Sequence, residues 1–176
     1  MNPSTDRFKL QEIEASDISF IHKGLSDPEV TRYYDVHFSS LEATKEQMDW
    51  YADLKSNGTG LWWKILYKDS EQCCGAGGFN ALDKKHRKAE IGFWLLPEYW
   101  GRGIMSEVMP VILNYGFENL YLNRIEGIVE SENEKCRQAM NKINFRHEGR
   151  MRQAEQKHGK FIDLDIYAAL REDWYS

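Results

Sequence analysis

A strand-like apolar run that ends in a glycine-rich turn constrains this chain more than any other feature. Residues 91–96 read IGFWLL, residues 97–105 read PEYWGRGIM, and apolar residues then recur at helical spacing up to Leu120. Glycine costs conformational entropy, so Gly101 and Gly103 indicate a tight turn or a close approach to the main chain. The sequence therefore predicts a strand, a glycine turn and a helix in succession.

Three interpretations compete for this turn. A GxG pair is consistent with a plain strand-to-helix connection in which glycine supplies a positive φ. A dinucleotide-binding turn needs a third glycine where Ser106 stands, and a Walker loop needs a Gly-Lys-Ser/Thr that is absent. A pyrophosphate site is the third interpretation, because a helix N-terminus offers unpaired N–H groups and Arg102 adds a cation. The plain turn and the pyrophosphate site both stay open on these residues alone.

Length and composition exclude several classes of protein. A chain of 176 residues with 41% hydrophobic and 29% charged residues predicts one globular domain over residues 1–176. The net charge of −5 disfavours a nucleic-acid partner, and the absence of an apolar stretch of ~20 residues disfavours a membrane span. Three cysteines, two of them adjacent, predict no disulfide framework and a reducing, cytoplasmic setting. No metal-ligand spacing is visible, so we expect no metal site.

Hydrophobic periodicity predicts a mixed α/β order, β-α-α-β-β-β-α-β-α-β-β. The strand–helix–strand unit over residues 88–129 implies one parallel pair in a sheet that is otherwise rich in hairpins. Ser131 and Asn133 are rival caps for the last long helix. The predicted strands are 7–13, 61–67, 73–79, 88–96, 124–129, 148–152 and 161–169, and the predicted helices are 17–25, 41–55, 103–120 and 134–142.

Four segments carry a resemblance to a known family: AEIGFWLLPEYWGRGIMSEVM (89–109), NRIEGIVESENEKC (123–136), NFRHEG (144–149) and FIDLDIYAAL (161–170). The chain resembles the GNAT acyltransferase superfamily, and within it the branch that contains the ribosomal-protein alanine and serine N-acetyltransferases. The resemblance implies a single-domain fold with a central, mostly antiparallel sheet, one splayed parallel strand pair and flanking helices. It also implies that acetyl-CoA is the cofactor.

The same resemblance assigns residues to cofactor binding. The family's loop, Gln/Arg-x-x-Gly-x-Gly/Ala, falls on residues 100–105, where Met105 replaces a small residue. The pantetheine arm is expected in a gap between strands 88–96 and 124–129. Cys136 stands where this branch more often has serine, and plain packing is the alternative to a role beside the cofactor sulfur. The expected cofactor-binding residues are Leu95, Leu96, Trp100, Gly101, Arg102, Gly103, Ile104, Met105, Ser106, Asn133 and Cys136.

Acyl transfer from a thioester needs a neutral amine, donors for an oxyanion and a stabilised leaving sulfur. A peptide α-amine has a pKa of about 7.7–8.0, so direct attack with little help from a base is plausible chemistry. Glu90 is the candidate base, with a surface or ion-paired glutamate as the alternative. The family implies oxyanion donation by the main-chain N–H of Leu96 or its neighbour, and Cys136 is a candidate group at the sulfur.

The acceptor side is less constrained by sequence. Tyr33 and Tyr34 in TRYYDVHF, and Trp94 on the face of Glu90, are candidate acceptor contacts, although aromatic residues also fill cores. We expect an N-acetyltransferase that acts on the N-terminal α-amine of a protein or peptide. A small amine such as a polyamine, amino acid or antibiotic is the first alternative, and a non-catalytic acyl-CoA-binding module is the second. Residues 61–67 and 161–169 either form the edge of a homodimer or are internal strands.

Overall fold

Residues 2–176, which the computed structural model describes, build one sheet of seven strands in the order β1-β2-β3-β4-β5-β7-β6. Every neighbouring pair is antiparallel except β4 and β5, which are parallel as the strand–helix–strand pattern predicts. The strands are β1 (Phe8–Glu12), β2 (Leu61–Tyr67), β3 (Cys73–Asp83), β4 (Lys88–Leu95), β5 (Arg124–Glu130), β6 (Arg146–Lys157) and β7 (Lys160–Leu170).

Local signals in the sequence define the ends of the helices. The Ser40 side chain accepts a hydrogen bond from the Ala43 N–H, and Gly58 ends the same helix at a φ of 67°. Asn133, rather than Ser131, caps the last long helix by accepting from the Cys136 N–H. The helices are α1 (Ile18–Leu25), α2 (Pro28–Thr31), α3 (Leu41–Asn57), α4 (Ile104–Glu118), α5 (Glu134–Lys142) and α6 (Arg171–Trp174), with 3₁₀ turns at Ala15–Asp17 and Pro97–Tyr99.

The sheet has a separate hydrophobic core on each face. One core packs α4 and α5 against residues such as Trp63, Phe79 and Ile91. The other packs α1, α2 and α3 against Trp62 and Trp94. Side chains alternate between the faces along each strand, so neighbouring residues such as Trp62 and Trp63 enter different cores.

Two strands are several residues longer than predicted, and one predicted interface differs from the structure. The strand β3 continues to Asp83, and β6 runs from Arg146 to Lys157 rather than over residues 148–152. The strands β2 and β7 lie inside the sheet, so the edge-to-edge homodimer that was one expectation for them is wrong. The edges of the sheet are β1 and β6. None of the helices within residues 2–176 is long and apolar enough to cross a membrane.

Candidate active site

The parallel strands β4 and β5 separate after a short paired segment. Their ladder covers only Lys88–Glu90 against Arg124–Glu126, whereas β4 continues to Leu95 and β5 to Glu130. On its other side β4 stays paired with β3 up to Leu95. The separation therefore opens a gap on one side of β4 while the rest of the sheet remains continuous.

The orientation of the β4 amides follows from its pairing with β3. The Leu96 N–H donates to the Cys74 carbonyl at 2.9 Å, which makes that residue pair a hydrogen-bonded one. Because hydrogen-bonded and non-hydrogen-bonded pairs alternate along an antiparallel ladder, Ile91, Phe93 and Leu95 direct their N–H groups toward the gap. The expected oxyanion donor was the N–H of Leu96 or its neighbour, and the Leu96 N–H is already paired with Cys74. Its neighbour Leu95 directs its N–H toward the gap.

The glycine turn has the backbone geometry that the sequence indicates. Gly101 and Gly103 have φ values of 74° and 72°, which side chains other than glycine rarely adopt. Gly103 is the residue before α4, and the first N–H to bond back within the helix is that of Glu107, which donates to the Gly103 carbonyl at 3.2 Å. The N–H groups of Ile104, Met105 and Ser106 are thus left free for an anion at the positive end of the helix dipole.

Three cations surround this turn. Arg102 lies over the Tyr99 ring at 5.4 Å, and Lys135 lies over the Trp100 ring at 5.3 Å. The Arg7 guanidinium donates to the Arg102 carbonyl from both terminal nitrogens at 3.3 Å. Arg7 is also ion-paired with Glu107 at 2.6 Å, so free main-chain donors and the charges of Arg102 and Lys135 are what suits a diphosphate here.

Trp100 and Met105 both leave the turn accessible. The Trp100 indole N–H donates to the Leu95 carbonyl at 2.9 Å, which ties the turn to the end of β4. The Met105 side chain packs against the core under α4, so this larger residue does not fill the space above the turn. Neither side chain therefore blocks the main chain of the turn, and the Trp100 ring lies beneath the Lys135 ammonium.

The first turn of α5 stands beside the gap. The Asn133 side chain accepts from the Cys136 N–H at 3.1 Å, and the Cys136 thiol packs against the core below. Burial raises the pKa of Cys136 to about 11, so the group is a thiol rather than a thiolate at neutral pH. A protonated thiol is a weak hydrogen-bond donor and a poor nucleophile.

Glu90 lies at the last paired position of β4, opposite Glu126 of β5. Burial raises the pKa of Glu90, and the negative charge of Glu126 raises it further, while a hydrogen bond with Asn80 opposes the rise. The carboxylates of Glu155 and Asp35 also raise this pKa. A half-buried carboxyl with an elevated pKa at the root of the gap has the properties of a general base.

An open cavity of about 740 Å³ lies between the segment that contains α2 and the β6–β7 hairpin. Tyr34 is part of its wall, whereas Tyr33 is half-buried beneath the Arg32 guanidinium and is not. Lys157 fixes one side by pairing with Glu130 at 2.5 Å and donating to the Arg32 carbonyl at 3.0 Å. The full lining is Pro28, Thr31, Arg32, Tyr34, Asp35, Val36, His37, Glu155, Gln156, Lys157 and His158.

Trp94 does not contact this cavity. Its side chain is 3% exposed and stacks on Phe20 with ring centroids 5.3 Å apart. A Cβ added to Gly24 would lie 2.2 Å from the Trp94 ring, so α1 packs directly on the indole. The expectation that Trp94 contacts the acceptor is wrong, because α1 covers the face of β4 that sequence alternation left open.

The sequence reasoning missed Glu155. Its carboxyl lines the cavity, and its pKa is raised by burial and by the neighbouring Asp35 and Glu130. Within residues 2–176, Glu90, Asp35 and Glu155 have no salt-bridge partner. The signal for Glu155 is weak, because residues 153–158 contain no apolar alternation that would place them on a strand.

Comparison with known proteins gives the family. The model for the acetyltransferase (GNAT) domain matches residues 7–146. A putative ribosomal N-acetyltransferase, YdaF of Bacillus subtilis, is 36% identical over 77% of this chain and 74% of its own. The spermidine N(1)-acetyltransferase of Escherichia coli is 29% identical over 96% of this chain and 86% of its own. A GNAT-family acetyltransferase structure from Bacillus anthracis has a TM-score of 0.84 at 26% identity, covering 98% of this chain and 99% of that one.

These matches, together with the parted strands and the glycine turn, agree with the resemblance seen in the sequence. The mixed α/β fold of this chain is shared with the Bacillus anthracis structure. The chain belongs to the GNAT family and is an N-acetyltransferase.

Proposed function

We propose that this enzyme acetylates the N-terminal α-amine of a protein or peptide by direct attack on the acetyl-CoA thioester. The open cavity carries the proposal, because most of its lining residues are exposed and it can admit the end of a polypeptide chain. A relative named as a putative ribosomal N-acetyltransferase supports a protein acceptor. The three free thiols support a reducing compartment, so we place the enzyme in the cytoplasm.

Acetyl-CoA binding is assigned to the glycine turn and the gap. The free N–H groups at the start of α4 and the cations Arg102 and Lys135 hold the diphosphate, while Arg7 supports the turn through the Arg102 carbonyl. The pantetheine arm lies along β4 and pairs with the backbone near Leu95. Asn133 and Cys136 form the opposite wall at the first turn of α5.

Glu90 takes the proton from the incoming ammonium, directly or through one water, and leaves the amine neutral for attack. The charge that develops on the thioester oxygen is stabilised by an N–H in the gap, for which Leu95 is the candidate. Such a donor contributes about 2.7–4 kcal/mol to transition-state stabilisation. Tyr34 and Cys136 both remain protonated because burial raises their pKa values, so either can donate a hydrogen bond to the leaving sulfur.

The acceptor class is tested by incubating the enzyme and acetyl-CoA with a panel of amines, read by mass spectrometry. We expect acetylation of peptides with a free N-terminus and none of the same peptides with the N-terminus formylated. The formylated peptides contain a lysine, so they still offer a primary amine although their α-amine is blocked. Acetylation of polyamines with no acetylated peptide contradicts the proposal and favours the second candidate.

The second candidate acceptor is a small polyamine. It is favoured by the carboxylates Glu90, Asp35 and Glu155, which lack salt-bridge partners within residues 2–176 and attract a cation carrying more than one charge. A relative named as a spermidine acetyltransferase also supports it. If this candidate is correct, Asp35→Asn with Glu155→Gln raises the KM for spermidine by about tenfold or more, and high salt does the same.

Cys136 is expected to be dispensable for chemistry. With a pKa of about 11, roughly 1 molecule in 10⁴ carries a thiolate at neutral pH, so direct attack by the amine dominates. Cys136→Ala is expected to lower kcat by less than about tenfold. Intact-mass analysis of the wild type with acetyl-CoA alone is expected to show no acetyl-enzyme. A covalent acetyl group at Cys136, or complete loss of activity in the alanine variant, contradicts direct attack.

A further inference from the structure

A buried carboxylate joins the last two strands to the helix beside the gap. The Asp165 side chain on β7 is 0% exposed and faces three cationic or titratable side chains. Arg150 donates to both of its oxygens, at 2.9 and 3.1 Å, and the His147 Nε2 lies 3.1 Å from Oδ1. The Arg137 Nε of α5 lies 3.1 Å from Oδ2. Hydrogen bonds from Arg150 lower the pKa of Asp165 to about 2, so the group is charged at every physiological pH.

Arg137 makes the one salt bridge of α5 within the part of the chain that the structure describes. Its Nε–H is not aligned for a hydrogen bond, so attraction between charges holds this contact. Its Nη1 donates to the Ser131 carbonyl at 3.4 Å. The side chain therefore spans from the buried carboxylate to the connection between β5 and α5.

This connection leads directly into the wall of the cofactor gap. Cys136 and Asn133 precede Arg137 by one and four residues, and the Asn133 cap defines the start of the helix. Beyond Glu126, β5 has no partner on the β4 side. The width of the gap therefore depends on the contacts that hold β5 and α5 on the β7 side. The Asp165–Arg137 pair is one of these contacts, because Asp165 of β7 lies opposite Val129 of β5 and Arg137 belongs to α5.

We propose that the Asp165–Arg137 pair is a positioning pair that sets the width of the β4–β5 gap and thereby the affinity for acetyl-CoA. The inference rests on the assignment of the gap to the cofactor. Neither residue is a catalytic residue, because both act through the placement of the first turn of α5. The pair is the contact that holds this cofactor-binding turn in place.

The test is Arg137→Gln, which leaves Arg150 and His147 on Asp165 so that the carboxylate keeps its other partners. We expect the KM for acetyl-CoA and the calorimetric Kd for coenzyme A to rise about tenfold, with kcat changed by less than about twofold. The KM for the acceptor is expected to stay constant. Arg137→Lys keeps the positive charge but has fewer N–H donors, so it is expected to recover part of the affinity for coenzyme A.

Arg146→Gln is the matched control. It removes an arginine of β6 that pairs with Asp173 at 3.1 Å on the surface and has neither Asp165 nor a residue of α5 as a polar partner. We expect this variant to bind coenzyme A as the wild type does. A direct contact between Arg137 and the cofactor is separated from positioning by Asp165→Asn, which is expected to weaken binding equally and to add nothing in the double variant.

Two results overturn the inference: wild-type affinity for coenzyme A in both Arg137 variants, or equal losses in kcat with no change in affinity. Since coenzyme A binding is measured without an acceptor, the result is independent of which amine the enzyme acetylates. Failure of the proposed acceptor would leave the calorimetric difference intact, so the two failures are distinguishable.

Discussion

Gly103→Val is expected to weaken acetyl-CoA binding by on the order of 100-fold or more. Gly103 has a φ of 72°, where a β-branched residue is strongly disfavoured, so the turn would have to change its path. The added side chain would also occupy the space through which the diphosphate approaches the free N–H groups of α4. Titration calorimetry with acetyl-CoA measures the loss.

The control for backbone strain is Gly159→Val. Gly159 has a φ of 75°, and a Cβ there would meet nothing within 4 Å, as is nearly the case at Gly103. It lies in the β6–β7 turn, away from residues 100–105. We expect a comparable loss of thermal stability in both variants but normal acetyl-CoA affinity in Gly159→Val. Unimpaired binding in Gly103→Val would show that the diphosphate binds elsewhere.

Glu90→Gln is expected to lower kcat at about pH 7 by on the order of 10²-fold, which is the lower range for loss of a general base. The effect is expected to be smaller at about pH 9, where a peptide α-amine of pKa near 8 is mostly neutral without help. In the wild type, activity rises with pH as Glu90 loses its proton, and its raised pKa shifts that rise upward. The pH–rate profile of kcat/KM for both proteins is the measurement.

The thermal stability of Glu90→Gln shows whether its lower kcat comes from loss of the base or from unfolding. Because the pKa of Glu90 is raised by folding, the native state loses stability as pH increases through that pKa. Replacement by neutral glutamine removes that loss, so Glu90→Gln is expected to melt at a temperature equal to or above that of the wild type at neutral pH. Glu155→Gln tests the other carboxyl group that could act as the base. A profile flattened by Glu155→Gln and unchanged by Glu90→Gln would assign the base to Glu155.

The elements with strong local signals were predictable from the sequence. The bounds of α5 agree residue by residue with the predicted 134–142, because the cap and the change from alternation to helical spacing coincide there. The end of α3 at Asn57-Gly58 follows from the need for a left-handed residue. The parallel pairing of β4 and β5 follows from the helix between them, and the resemblance to the family gave the splay.

Features that depend on long-range packing were not predictable. The sequence of β6, RHEGRMRQAEQK, has a single large apolar residue, so its length is determined by pairing with β7 rather than by its own pattern. The burial of Trp94 depends on α1 reaching across β4 to its indole. The pairing of the Leu96 N–H with Cys74 depends on the hydrogen-bond phase of the β3–β4 ladder, which side-chain periodicity does not reveal.

The central claim is that acetyl-CoA lies against the amides of the β4 gap and of the first turn of α4. Hydrogen exchange resolved to single amides, with and without saturating coenzyme A, tests it most directly. We predict that coenzyme A slows exchange at Leu95 and at residues 104–106, while amides of β1 and α3 exchange as before. Coenzyme A that binds without protecting these amides would contradict the account.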